Sequence, residues 1–439
     1  MFDTVKKAFQ YKEIRNRIFF TLLMMVVIRF GSQLPVPGVD RNYFTNWFSQ
    51  QTTSDAFSLF DAFTGGSFLN MSILALNITP YITASIIIQL LTIAIPKLEE
   101  MQREGEEGRK LLISITRYMN IGLSLVESAA MAIGFGRNGL LENYNALSVI
   151  SCIVILTAGS AFLMWLGERI TENGIGNGIS IILTINIISR IPSDISTLFE
   201  QFVTGKSVAT ATVAVIIIVG IIVGMIVLVI LLNDAEIHIP IMYSAKFKNG
   251  KSSRQDLPLK VNTAGVMPII FASSIMEFPV IISTLVGYSG TGWWSEFIKY
   301  LSSSYWCKPA QLKYSIGLLV YVVLLIFFAY FYTSISFNPM EIADNLKKQG
   351  ATVQGIRPGR PTQTYLENKL KYIIFIGATG LTIIGVLPFI FKGVFNASVS
   401  FGGTSLIIVV SVVLETIRQV QSMTQTMGFM KSKNRSLLA

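Results

Sequence analysis

FSLFDAFTGGSFLNMSILALNITPYITASIIIQLLTIAIP, residues 57–96, joins a semi-polar segment broken by Gly65-Gly66 to an apolar span carrying a proline and several hydroxyls. A lipid-facing helix is not built this way. Pro80 removes a backbone donor where lipid offers no replacement, so the stretch must lie against protein or a watery cavity. Pro80 falls between Ile78 and Ile82 and predicts a bend there. The pattern suggests a pathway through a membrane.

The rest of the chain has the same character. It has 439 residues, 51% hydrophobic and 14% charged, with a mean hydropathy of +0.57, which is too apolar for a soluble globule of this size. A hydrocarbon layer of about 30 Å takes about 20 apolar residues per helix, and ten segments are candidates. They centre on 18–34, 73–96, 114–135, 148–166, 177–191, 211–232, 264–286, 314–335, 370–391 and 402–417, the fifth and tenth being short or polar. The predicted class is an all-α polytopic membrane protein with a small cytoplasmic β-hairpin.

Placing the N-terminus inside puts most of the 35 Lys and Arg residues on the cytoplasmic side, so both termini are predicted cytoplasmic. The net charge of +10 is then mainly a topology signal, though a basic inner surface also suits anionic lipid or RNA. No DNA binding is expected. The N-tail, 1–17, is basic and amphipathic, and the run after it ends in Pro35-Val36-Pro37-Gly38 without a small-residue cleavage pattern, so the first span is expected to stay as an anchor. Cys152 lies within a span and Cys307 in an outer loop, which gives no basis for a disulfide.

Enzyme chemistry finds little support. The single histidine, His238, has no cysteine or acid at metal-ligand spacing, and no G-x-x-x-x-G-K-[ST] run occurs. No cofactor or metal is expected, and any ATP must be used by a partner. The cluster NGIGNG at 173–178 superficially resembles a phosphate loop, but no strand precedes it, and a tight turn between the fourth and fifth spans explains it better.

Two cytoplasmic loops exceed what a connection needs. Residues 237–243 alternate apolar and polar, Lys248-Asn249-Gly250-Lys251 forms a strong turn signal, and Arg254 and 257–260 follow; this predicts a β-hairpin with a basic tip, Lys246 to Arg254, serving as a docking arm. In the second loop Gly355, Pro358 and Gly359 flank Arg357 and hold it in a stiff turn, better suited to a partner than to charge counting alone.

The runs FTGGSFLNMSILALNITPYITASIIIQLL, ITENGIGNGISII, LPLKVNTAGVMPIIFASSI, GIRPGRPTQTYL and FGGTSLIIVV, in this order, resemble the SecY family, the channel subunits of the general protein-secretion translocon. The resemblance spans the chain from first to tenth span. Asn77 and Thr79 stand where many relatives have glycine and methionine, and Glu277 where relatives are commonly apolar.

The resemblance implies two five-helix halves in inverted pseudo-symmetry around an hourglass pore. The halves would be 18–191 and 211–422, joined by an outer connection at 192–210, with cytoplasmic loops at 233–263 and 338–369 and a C-tail at 423–439. They would hinge near Gly174–Gly178 and part between spans two and seven. A pore ring is implied at Ile78, Ile82, Leu183, Ile187, Ile270 and Ile408; two i,i+4 pairs in this set share a helix face, a spacing equally common in lipid or helix packing. A plug helix is implied at 57–70, with Phe60, Asp61 and Phe63 beneath the ring and Gly65 and Gly66 allowing the bend. Ser85 and Gln89, with Ser273 and Ser274, are candidates for a lateral gate, although hydroxyls in spans also bond their own backbone. Glu127 and Glu277 are acids within spans without an identifiable partner. The implied partners are SecE-type and SecG-type small subunits, membrane lipid, unfolded polypeptides bearing signal sequences, and the SecA ATPase or the ribosome docking on Arg357, Lys246, Lys248, Lys251 and Arg254. A secondary transporter of a small solute is the alternative, since it too uses broken helices and inverted repeats; it predicts ionisable residues converging at the midplane.

Overall fold

At membrane depth a backbone must satisfy its own hydrogen bonds, so the apolar runs fold as helices. The computed structural model describes residues 9–40, 64–202, 204, 208–243, 254–285, 292–395 and 403–437. In chain order these form α1 (Lys12–Gly31), α2 (Thr79–Ala94), α3 (Pro96–Arg103), α4 (Glu106–Phe135), α5 (Ala146–Asn173), α6 (Gly178–Phe202), α7 (Val208–Asp234), β1 (Glu236–Tyr243), β2 (Arg254–Lys260), α8 (Met267–Leu285), α9 (Trp293–Leu301), α10 (Ile316–Ser336), α11 (Pro339–Lys348), β3 (Ala351–Val353), α12 (Arg360–Phe395) and α13 (Gly403–Leu437).

A helix overlies each of the ten expected spans. Among the described residues seven helices are long and apolar enough to cross a bilayer, or eight when α2 and the start of α3, bent by 107°, count as one broken span. Charged residues at both ends of α1, from Lys12 to Arg29, dilute its apolar run. Two elements differ from expectation. The helix of the expected fifth span, α6, does not stop near Ile191 but carries Pro192 inside it and reaches Phe202, so part of the expected outer connection is helical. Pro80 does not bend a helix: it lies in the first turn of α2, where an N–H would have no intrahelical acceptor. The break comes instead at Ile95-Pro96.

The chain divides into two compact units. The first comprises Met1–Gln201, Glu277–Ser304 and Ser398–Ala439. Lipid gives helices no hydrophobic reason to associate, so contacts rest on close packing and interhelical hydrogen bonds. Between α4 and α5, Ser128 and Thr157 hydroxyls meet at 3.0 Å, Asn120 Nδ2 donates to Met164 Sδ at 3.2 Å, and Arg117 Nε donates to Glu168 Oε1 at 2.8 Å. Of the plug expected over 57–70, residues 57–63 lie outside the described residues; Thr64 is helical, and 65–78 before α2 is a series of turns with left-handed φ at Gly65, Gly66, Met71 and Asn77. Its backbone is nonetheless satisfied: Val36 N–H donates to Met71 O and Ile73 N–H to Leu34 O, both at 2.9 Å. Phe68, Met71, Ala75 and Leu76 pack with Met131, Phe135 and Leu156 in one buried cluster. Gly159 of α5 admits the Ile73 carbonyl, where a Cβ would collide.

The second unit comprises Phe202–Met276 and Tyr305–Ala397. One end is closed by rings, with Trp306 5.0 Å from Phe389 and Phe389 5.5 Å from Tyr321. At the opposite end the two long loops build one sheet, ordered β2-β1-β3. β1 and β2 are antiparallel from Glu236 opposite Lys260 to Met242 opposite Arg254, as the alternating pattern predicts. β3, from the other loop, adds to β1 with Ile241 opposite Val353.

Candidate functional site

The first span, the segment 64–78 and α6 meet around Gly65. Its carbonyl accepts from Arg29 Nη1 at 3.2 Å and from Ser189 Oγ at 3.4 Å. A Cβ on Gly65 would stand 2.8 Å from both Cα and O of Asn186, so only glycine, at φ +66°, fits. Asn186 Nδ2 also donates to Asn77 Oδ1 at 3.0 Å, and both amides are buried. Asn77 directly precedes Ile78, whose carbonyl accepts the first α2 hydrogen bond from Ile82 N–H at 3.1 Å. Ile78, Leu183, Ile187 and Ile408 are buried, while Ile82 and Ile270 are half-buried. On α6 the aliphatic positions Leu183 and Ile187 thus stand beside a polar pair, Asn186 and Ser189.

Of the other expected residues, Phe60, Asp61, Phe63, Lys246, Lys248 and Lys251 lie outside the described residues. Gln89 Nε2 donates to Ser85 Oγ at 3.4 Å, one turn apart on α2. Ser273 and Ser274 are half-buried on α8.

The glycine turn behaves as a turn and also as a junction. Gly174 follows the end of α5, Gly176 has φ +79°, and at Gly178 a Cβ would run into the Gly167 carbonyl. Arg17 Nη1 donates to the carbonyls of Glu172 and Gly174 at 3.2 and 3.3 Å, and Thr21 Oγ1 accepts from Ile175 N–H at 3.1 Å. Gln419 Oε1 accepts from Gly176 N–H at 2.6 Å. Beneath them Ile14 and Ile175 are buried against Ile18, Val420 and Met423. Sequence reading missed this grip, because its donors and acceptors come from opposite ends of the chain.

On the platform built by the two long loops Ile239, Ile241, Leu259, Leu346, Val353 and Leu366 form the core. Arg357 is exposed at its edge. Ile356 packs on that core, Ile356 N–H donates to Val353 O at 3.0 Å, and Thr362 Oγ1 donates to the Arg357 carbonyl at 2.8 Å. Gly355 and Gly359 take φ of +80° and +97°, conformations that glycine accepts freely, and so let the chain turn on both sides of the arginine. Arg254 opens β2 opposite Met242, so both expected docking loops belong to one folded body. A cavity of 310 Å³ lies between β2 and α11, lined in part by Ile241, Asp256, Leu346 and Gln349.

The model of the family described as SecY matches residues 72–417. The chain belongs to the SecY family. Among SecY relatives, the protein translocase subunit SecY of Bacillus licheniformis is 39% identical over 447 residues, covering 98% of this chain and all of that protein. The Bacillus subtilis protein of the same name is 40% identical, with 98% and 100% covered. Among solved structures, one described as a protein conducting channel superposes with a TM-score of 0.62 at 18% identity, covering 92% of this chain and 91% of that one. Sec61 in a canine ribosome-channel complex gives 0.57 at 19% identity, with the same coverage. At these identities the superpositions establish the shared SecY-type fold of a multi-pass membrane protein.

Proposed function

We propose that this chain is the channel subunit of a bacterial secretory translocon, passing unfolded polypeptides across the plasma membrane and releasing signal sequences and transmembrane segments sideways into lipid. The observation that carries this is near-full-length similarity to translocase subunits, 39% identical over 98% of the chain. The small-solute transporter gains nothing from these relatives.

In this reading Ile78, Ile82, Leu183, Ile187, Ile270 and Ile408 form the waist of the pore between the two five-helix halves. A dry aliphatic ring offers a moving chain no hydrogen bonds to stick to, and it hinders ions by dewetting. The segment 57–70 is the plug, and its mixed polarity suits an element of low local stability. Ser85 and Gln89 face Ser273 and Ser274 in the closed lateral gate, and an apolar signal helix replaces that contact. The chain has no ATPase of its own: SecA or the ribosome supplies energy, docking on the platform that bears Arg357 and Arg254 together with Lys246, Lys248 and Lys251. SecE-type and SecG-type subunits complete the membrane complex, and both termini are cytoplasmic.

A photo-crosslinker at Ile187 tests the channel during transport of a stalled precursor. An adduct with the precursor is expected; its absence, while crosslinks form at Ile82 and Ile408 no better than at lipid-facing Val219, would overturn the channel reading.

A further inference from the structure

We propose that Asn186 is a positioning residue that sets how readily a signal sequence opens this channel, by latching the segment that leads into α2 at both ends. The inference rests on the channel reading. At one end Gly65 seats on the Asn186 backbone, where a Cβ would come within 2.8 Å, and its carbonyl is held by Arg29 Nη1 and Ser189 Oγ. At the other, Asn186 Nδ2 donates to Asn77 Oδ1 at 3.0 Å, one residue before Ile78. A single residue on α6 thus meets both ends of 65–77, Gly65 through its backbone and Asn77 through its side chain, on the helix that carries Leu183 and Ile187.

The chemistry is that of a latch more than of a packing contact. Burying two amides is unfavourable unless they are hydrogen-bonded, and two apolar side chains would fill the same space without that penalty. The pair is also incompletely satisfied: Asn186 Oδ1 finds no hydrogen-bond partner among the described residues. The net stabilisation is therefore modest, yet the geometry is specific, because the buried Asn186 amide loses this partner when the segment shifts. Asn77 sits at φ +53°, a left-handed conformation that asparagine tolerates better than most residues and glycine tolerates freely. Asparagine there supplies the amide without forbidding the turn.

That backbone makes Asn77→Gly a suitable test, since it deletes the hydrogen bond to Asn186 and leaves the turn unstrained. In vesicles carrying the complete translocon, transport is measured for one precursor with an intact signal sequence and for the same precursor with a defective one. Asn77→Gly is expected to raise the defective-to-intact ratio about three- to tenfold, the range of one buried hydrogen bond. Asn186→Ala should do the same, and the double variant no more than either single one. An unchanged ratio in Asn77→Gly, or effects that multiply in the double variant, would overturn the latch. If Asn186→Ala does not accumulate, the Asn77→Gly ratio decides alone. Wild-type transport of the intact precursor separates the two readings: if it is absent the channel reading falls, and this inference with it.

Discussion

The main-chain N–H of Gly176 donates to Gln419 Oε1 at 2.6 Å, joining the turn after the fourth span to the last helix across 243 residues of sequence. The neighbouring Ile175 N–H is held by Thr21 on the first helix. The turn is thus clasped by helices from both ends of the chain, and two of its donors depend on side chains that no local pattern identifies.

Removing the acceptor leaves an N–H unpaired, a buried one at Ile175 and a part-buried one at Gly176. Gln419→Leu and Thr21→Val should each cost about 1–2 kcal/mol and lower the unfolding midpoint of the purified protein. Midpoints equal to wild type in both would show the clasp to be dispensable.

Glycines here divide into those that need to be glycine and those that do not. At Gly178 a Cβ would strike the Gly167 carbonyl, backbone against backbone, whereas nothing lies within 4 Å at Gly220 of α7. Gly178→Ala should therefore destabilise by about 1–3 kcal/mol, and Gly220→Ala should be neutral or stabilising by up to about 1 kcal/mol. Accumulation in membranes and resistance to protease are the readouts; equal behaviour would contradict the close approach of α5 and α6.

Arg357 is exposed while its neighbours Ile356 and Thr362 anchor the turn. Arg357→Glu should abolish motor-driven transport and leave the platform folded, as judged by an unaltered protease pattern. Normal ATP-driven transport in this variant would reject the docking role.

An asparagine in an aliphatic ring gives water a foothold. Ile82→Asn and Ile408→Asn should raise ion leak through the resting channel and admit precursors with weak signals. Single-channel recording provides the check, and wild-type leak in both would remove these positions from the waist.

The platform core can be tested by itself. Ile241 is buried between β2 and β3, so Ile241→Ala should cost about 2–4 kcal/mol locally. Faster proteolysis in the loops 233–263 and 338–369 together is expected; cleavage of only one loop would argue against a shared body.

Much of this was legible from the chain alone, because membrane helices and alternating strands write their period into the sequence. The apolar runs mark helices, and 237–243 reads as the strand it is. What escaped depended on distant partners. β3 is three residues long and is a strand only because Ile241, more than a hundred residues earlier, offers an edge. Pro192 reads as a stop, yet the helix runs through it, with Arg190 and Asp194 paired 3.9 Å apart across it. Pro80 reads as a kink because the sequence does not disclose that the helix begins at Thr79. Asn77 and Asn186 each look like a stray polar residue in an apolar run; their meaning lies in their meeting.

The second span is only 16 residues of helix before its 107° turn, about 24 Å at 1.5 Å per residue against a hydrocarbon layer of about 30 Å. A transmembrane voltage falls across insulating material, so a wall this short, with the proposed ring residue Ile78 immediately before it, would compress the electric field into a thin slab. A charge stepping through that slab does about 2.3 kcal/mol of electrical work for every 100 mV. A passing chain therefore feels the potential as separate tugs, one for each ionised residue, and its charge sequence becomes a record of forces played out in time.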